Sequence, residues 1–149
     1  MENEARKQKS NYTTNWDELI DAAGKVLVKE KDGRIITAGI AGGTATNVEH
    51  FSDIFGLMLL LNGGSLSKLD EPEATGALEA YRRFAEEPNN LWSEDMSNSI
   101  VAFTQGKVAM IFAPSWEIHT IKATAPDLKI IAAEIPAPPG GKQVSLASY

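Results

Sequence analysis

The sequence contains no cysteine, only two histidines and no long hydrophobic run, and each absence excludes a class of function. Without cysteine the chain cannot hold a disulfide framework, a thiolate metal site or an iron–sulfur cluster, and it has no cysteine nucleophile. His50 and His119 lie 69 positions apart with no partner at ligand spacing, so we predict neither a metal site nor a catalytic histidine. The longest apolar run, Leu57 to Leu61, has five residues, whereas a membrane-spanning helix needs roughly 20.

Positive charge is also scarce. Fourteen Lys and Arg residues stand against 20 Asp and Glu, which gives a net charge of −6. Nucleic-acid binding needs clustered cations that replace the counterions of phosphate, so we predict no nucleic-acid partner. The densest basic stretch, from Arg6 to Lys9, belongs to a polar segment without an apolar secretion-signal core. We expect residues 1–12 to form a disordered or linker tail, and any export signal to have been removed.

The remaining residues, 13–149, have the size and the apolar content of one globular domain. The chain has 149 residues, of which 43% are hydrophobic, enough for a core that needs no metal or disulfide. Segments with helical and strand periodicity alternate, which is typical of an α/β layered domain. The predicted helices end near Val28, cover 48–61, 70–86 and 97–105, and begin again at 114; the predicted strands cover 34–40, 107–113, 129–133 and 144–149.

Three helix ends carry sequence signals. Thr14 or Asn15 has the spacing of a capping box at the first helix. Gly63-Gly64 is typical of a helix C-terminus, and Asp70 before Pro72 indicates an N-cap.

Familiar catalytic motifs are missing from the sequence. It has neither a Gly-x-Ser-x-Gly elbow nor a Gly-Lys-Ser/Thr phosphate loop. The loop from Gly42 to Asn47 precedes a helix but lacks the lysine of a phosphate cradle, so an ordinary loop is favoured over an anion site. Glu94 and Asp95 are explained by helix capping. A glycosidase needs two opposed carboxyl groups, and sequence spacing does not establish such a pair here.

Trp116 is the strongest candidate for ligand contact. It lies in Phe112-Ala113-Pro114-Ser115-Trp116, where a predicted strand ends and a helix begins. In open α/β sheets the carboxyl ends of the strands face the ligand crevice. An indole there can stack on the apolar face of a pyranose ring while polar side chains bind the hydroxyl groups. From its position alone, Trp116 fits a core anchor equally well.

Several motifs, in order, resemble those of the bacterial extracellular sugar-binding proteins. Residues 102–110, Ala-Phe-Thr-Gln-Gly-Lys-Val-Ala-Met, with Pro-Ser-Trp at 114–116, are similar to the family signature "AF..GK.AM…G.W". Ile135-Pro136-Ala137-Pro138 before Gly140-Gly141 is similar to the family's "PLP…GG" segment. A Trp-Asp-Glu-Leu helix start at 16–19 and a buried helix ending Asn-Gly-Gly at 62–64 complete the order.

The resemblance implies a two-lobed periplasmic-binding-protein fold, of which residues 13–149 form the C-terminal lobe, with a small mixed sheet flanked by helices. It implies a carbohydrate ligand in the interlobe cleft, an N-terminal lobe and an ABC-transporter permease as partners, no cofactor, and an extracytoplasmic location for the full-length protein. Trp116 matches the stacking aromatic of the signature, although Ala113 or Pro114 replaces the usual glycine. The other residues implied at the ligand site are Thr44, Thr46, Asn47, Ser148 and Tyr149.

We therefore predict a non-catalytic carbohydrate-binding lobe of an ABC import system that binds sugar weakly or undetectably on its own. A small α/β glycan-active hydrolase is the first alternative, and it requires acids among Glu94, Asp95, Glu117 and Glu134 to converge. A scaffold or interaction domain with a buried Trp116 is the second. Peptides, polyamines or metal chelates remain open as ligands of the same fold.

Overall fold

A computed structural model describes residues 15–136 and Val144 of this chain. The predicted tail at 1–12, the site candidates Ser148 and Tyr149, and the predicted final strand apart from Val144 lie outside the described residues. Five helices and three strands occur within the described part: α1 Trp16–Val26, β1 Val28–Lys29, β2 Ile35–Ala41, α2 Phe51–Leu61, α3 Pro72–Arg82, α4 Ser99–Thr104, β3 Val108–Ile111 and α5 Glu117–Thr124. No helix among them is both long enough and apolar enough to span a membrane.

The three strands form one mixed sheet in the order β1-β2-β3. β1 pairs antiparallel with β2, whereas β2 and β3 are parallel, with Ala38 opposite Val108 and Ala41 opposite Ile111. The predicted α/β class, with a small mixed sheet flanked by helices, is therefore confirmed. Because β2 and β3 run in the same direction, the segments that follow them leave the sheet at the same edge.

The first helix begins, and the second helix ends, where the sequence signals indicate. The Asn15 side chain accepts a hydrogen bond from the Glu18 backbone N–H at 2.9 Å, which makes Asn15 the N-cap of α1. At the end of α2, Gly63 has a φ of 83° and the Gly64 N–H donates to the Leu59 carbonyl. Glycine adopts this left-handed conformation without the steric cost that a Cβ would impose.

Other predicted boundaries are wrong. Asp70 is not the cap of α3, because Glu71 occupies the N-cap position without a side-chain cap bond and Pro72 begins the helix. Residues 129–133, predicted as a strand, form no strand, and Ile131 is 72% exposed. A strand needs a neighbour for its backbone groups, and none of the described strands pairs with this segment. Conversely, Val28 and Lys29 pair with β2 to form β1, although the first helix was predicted to end near Val28.

The core lies between the sheet and the helices and contains an aromatic cluster. Phe84 contacts both Trp16 and Phe112, with ring centroids 6.3 and 6.1 Å apart, and the Trp16 and Phe112 centroids are 5.9 Å apart. Phe84 and Phe112 are buried, and Trp92 is fully buried. These aromatic rings join α1, the end of β3 and the segment after α3 into one packed unit.

Gly39 marks the closest approach of α1 to the sheet. A Cβ at Gly39 would overlap the backbone carbonyl of Ala23, a fully buried residue of α1. Only glycine allows the helix to lie this close to β2.

We expect Gly39→Ala to lower the free energy of unfolding by about 1 to 3 kcal/mol, because the added methyl forces α1 away from the sheet. Gly24→Ala is the matched control, since a Cβ at this exposed helix position meets no atom and alanine should stabilise the helix by about 0.5 to 1 kcal/mol. Urea unfolding followed by circular dichroism measures both changes. Equal stability of the two variants would contradict the close approach.

Candidate functional site

The candidate site lies where the two parallel strands end. The segment 42–50 follows β2 and the segment 112–117 follows β3, and both begin at the edge defined by the Ala41–Ile111 pair. A third segment, 93–99, bonds to the first: the Ser99 N–H donates to the Asn47 carbonyl and the Glu49 N–H donates to Ser99 Oγ. Three stretches distant in sequence therefore meet at one sheet edge, the position of ligand crevices in α/β proteins.

Trp116 is at this edge and is half exposed. Trp116 is the N-cap residue of α5, without a side-chain cap bond, and it is 50% accessible to solvent. The imidazole of His50 meets the indole edge-to-face, with centroids 5.1 Å apart and planes at 90°. The exposure excludes the buried-anchor alternative and leaves an aromatic surface free for a ligand.

A partly buried polar pair lies next to Trp116. His50 Nε2 and Glu117 Oε1 are 3.0 Å apart, and His50 Nδ1 lies 3.9 Å from a carboxylate oxygen of Asp53. Glu117 is only 8% exposed, and its second oxygen, Oε2, is buried without a hydrogen-bond partner among the described residues. From the sequence we predicted no ligand role for His50 and named Glu117 only as a possible catalytic acid. Their 67-residue separation leaves no local signal for the pair.

Thr44 and Asn47 face inward. Thr44 Oγ1 donates to Asn47 Oδ1, and the Trp92 indole N–H lies 3.2 and 3.0 Å from these two oxygens. The Asn47 amide nitrogen donates to the carbonyls of Ser93 and Met96, each at 2.9 Å. Both donors and the acceptor of the Asn47 side chain are thus used inside the protein, and both residues are buried.

Tyr81 fixes the same loop from α3. Its hydroxyl donates to the Thr44 carbonyl at 2.7 Å, and the residue is buried. Burial raises the pKa of Tyr81 to about 12, against a smaller lowering by the Gly43 backbone. The phenol is therefore neutral and available as a donor throughout the physiological range.

Thr46 is the one predicted loop residue with an exposed side chain. Its hydroxyl lies 3.3 Å from Glu94 Oε1, a long bond at the surface. The structure thus brings Thr44, Thr46 and Asn47 into one loop that is linked through His50 to Trp116. The remaining two candidates, Ser148 and Tyr149, lie outside the described residues.

The site edge carries negative charge. Residues 42–54, 93–98 and 112–117 contain five carboxylates and no Lys or Arg. Glu94 and Glu117, two acids of the hydrolase alternative, contact different partners, Thr46 and His50. Within the described part of the chain, no group of three or more His, Asp or Glu side chains is arranged so that it could hold a metal ion.

A cavity lies away from this edge. It has a volume of about 560 Å³ and is lined by a different set of residues, from α1, α2, α3 and the segment after α3. Most of its walls are apolar side chains, including Trp16, Met58 and Phe84. None of the predicted site residues contributes to this cavity.

Two comparisons with known proteins found similar sequences. The model of the family described as bacterial extracellular solute-binding protein matches residues 4–148. Two proteins of Brucella abortus and one of Brucella suis, each named as a binding protein, are 31% identical over 139 residues. The match covers 88% of this chain and 33% of each relative, so the chain spans about a third of their length. No solved structure matches.

Asn47→Ala should destabilise the fold by about 2 to 3 kcal/mol, because it leaves buried carbonyls and the Trp92 N–H short of partners. Thr46→Ala, one residue away but exposed, should change stability by no more than about 0.5 kcal/mol. Urea unfolding, followed by tryptophan fluorescence, compares the stability of the two variants. Equal losses in the two variants would contradict the buried network.

When the pH of the folded chain is raised, the absorbance of tyrosinate should increase in one step near pH 12, the raised pKa of Tyr81. This step should be absent from Tyr81→Phe and from the urea-unfolded chain. The folded state favours the neutral phenol, so this group's contribution to stability is complete below its ordinary pKa of 10.0 and is lost as pH rises through about 12. A titration in which all tyrosines ionise near their ordinary pKa would show that Tyr81 is not buried as described.

Proposed function

This chain belongs to the bacterial extracellular solute-binding proteins, and on that premise we propose that it forms one wall of a carbohydrate-binding cleft in an ABC import system. The proposed role is capture and delivery without catalysis. The half-exposed indole of Trp116 at the common edge of β2 and β3 is the observation that carries the proposal. A flat aromatic surface in this position buries the C–H face of a sugar ring and leaves its hydroxyl groups to polar neighbours.

The residues of the 42–50 loop have two proposed tasks. Thr46, the exposed member, binds a ligand hydroxyl directly. Thr44 and Asn47 do not contact the ligand in this proposal; they support the site because their hydrogen bonds to Trp92 fix the shape of the loop. A rigid loop loses little conformational entropy on binding, so such support increases affinity without ligand contact. Ser148 and Tyr149 remain predicted ligand neighbours.

The charge of the site edge favours neutral over anionic carbohydrates. Its five carboxylates are accompanied by no lysine or arginine in the same three segments. A phosphate or carboxylate on the ligand would lack a cationic partner there and would be repelled by Glu94 and Asp95. Neutral sugars avoid this cost, and their hydroxyl groups can donate to carboxylate oxygens.

In the whole protein, this chain is proposed to be the C-terminal lobe of two. An N-terminal lobe would supply the opposite wall, and closure around the ligand would create the form that a membrane permease recognises. Such a protein acts outside the cytoplasm. With half of the cleft walls, the chain alone should bind sugar weakly, because affinity grows with the ligand surface that is enclosed.

Saturation-transfer NMR tests the proposal. The chain is mixed in turn with maltose, cellobiose and glucose phosphate, each at millimolar concentration. Transfer should reach at least one neutral sugar and should be weakest for the phosphate. Trp116→Ala should reduce the affinity about tenfold, since loss of the stacking surface costs on the order of 1 to 2 kcal/mol. Trp116→Phe should retain part of the saturation transfer to the sugar, because a smaller aromatic surface remains.

Val101→Ala is the matched control, because Val101 is an exposed apolar residue on α4 (43%) and should not affect transfer. Saturation transfer at millimolar sugar detects binding as weak as one lobe should show, so no transfer to any sugar, or transfer that Trp116→Ala leaves unchanged, would contradict the site. Hydrolysis of a glycoside by the chain would favour the enzyme alternative.

A further inference from the structure

His50 begins α2 with an unusual backbone. Its φ of 60° and ψ of 25° lie in the left-handed region, and it is the only non-glycine residue with a positive φ in the described part of the chain. This conformation is unfavourable for a residue with a side chain, because the Cβ comes too close to the following carbonyl oxygen. Such strain persists where the surroundings hold the residue, and it is often found at functional sites.

The side chain of His50 is held by contacts with both helices. Glu117 of α5 lies at Nε2, Asp53 of α2 lies near Nδ1, and the ring meets the Trp116 indole at 90°. With the Glu117 carboxylate ionised, Nε2–H is the donor. Glu117 therefore fixes the orientation of the imidazole. Glu117 directly follows Trp116 in the sequence, and the imidazole contacts the Trp116 indole.

Glu117 is buried more deeply than its place in the helix requires. An acid in the first turn of a helix is favourable at the surface, where water solvates both oxygens. Here the residue is 8% exposed and one oxygen has no partner among the described residues, which is costly for a carboxylate. Its contact with His50 connects the start of α2 to the start of α5, the helices that follow β2 and β3.

We propose that His50 and Glu117 are positioning residues that fix the Trp116 indole as a preorganised surface for the ligand. The inference rests on the proposed function, in which Trp116 stacks on a sugar. Glu117 orients the imidazole, and the contact with the imidazole restricts rotation of the indole. A fixed indole spends no rotamer entropy on binding, so the pair increases affinity through the tryptophan.

Fluorine NMR of the chain labelled with fluorotryptophan tests this without a ligand. The sequence has three tryptophans, and Trp116→Phe assigns the resonance of Trp116. His50→Asn removes the ring but keeps a residue type that tolerates a positive φ. In His50→Asn and in Glu117→Ala, the Trp116 resonance should narrow and shift toward that of the free amino acid, while Trp16 and Trp92 stay unchanged.

Glu117→Gln should restore much of the native resonance, because its amide oxygen can still accept from Nε2. His119→Asn is the matched control: His119 is an exposed histidine of α5 and its loss should leave Trp116 unchanged. An unaltered Trp116 resonance in both His50→Asn and Glu117→Ala overturns the proposal. Parallel shifts of all three tryptophans also overturn it, because the pair would then support the whole fold.

The sugar experiment separates this proposal from the proposed function. If the fluorine resonances respond as expected and no sugar binds, the positioning of Trp116 stands and the carbohydrate assignment fails. If sugar binds through Trp116 and the resonance is insensitive to His50, the function stands and the positioning proposal fails.

Discussion

The parallel pairing of β2 with β3 is the constraint on which the site depends. It aligns Ala41 with Ile111, so the chain leaves both strands at one edge and the two following segments must share the space beyond it. An antiparallel pair would send them to opposite ends of the sheet. Trp116, His50 and the loop from Gly42 to Asn47 meet for this reason, although more than 60 residues separate the two strands.

Buried polar groups give this edge its shape. Asn47, Thr44 and the Trp92 N–H satisfy one another inside the protein, and Tyr81 adds a bond from α3. Groups of this kind are expensive to bury unless every donor and acceptor is paired. The pairing makes one loop conformation much better than the alternatives, so the loop presents a defined surface next to the exposed indole.

Local signals in the sequence predicted the elements that depend on neighbouring residues. Asn15 caps α1, and the glycine pair ends α2, because both effects involve atoms a few residues apart. The prediction was wrong for 129–133 and for Asp70. An apolar run becomes a strand only if another strand pairs with it, and Pro72 sets the start of α3 whichever residue precedes it.

Order along the chain was enough to predict the α/β class, to show the family resemblance and to select Trp116 as a candidate for ligand contact, since periodicity and motifs are properties of that order. Which candidate side chains face solvent became known from the folded chain alone. Asn47 points inward and bonds to Trp92, Thr46 is exposed, and His50 contacts Glu117, which lies 67 residues away in the sequence. The physical reason is that exposure and hydrogen-bond partners depend on packing between distant segments, which no local pattern encodes.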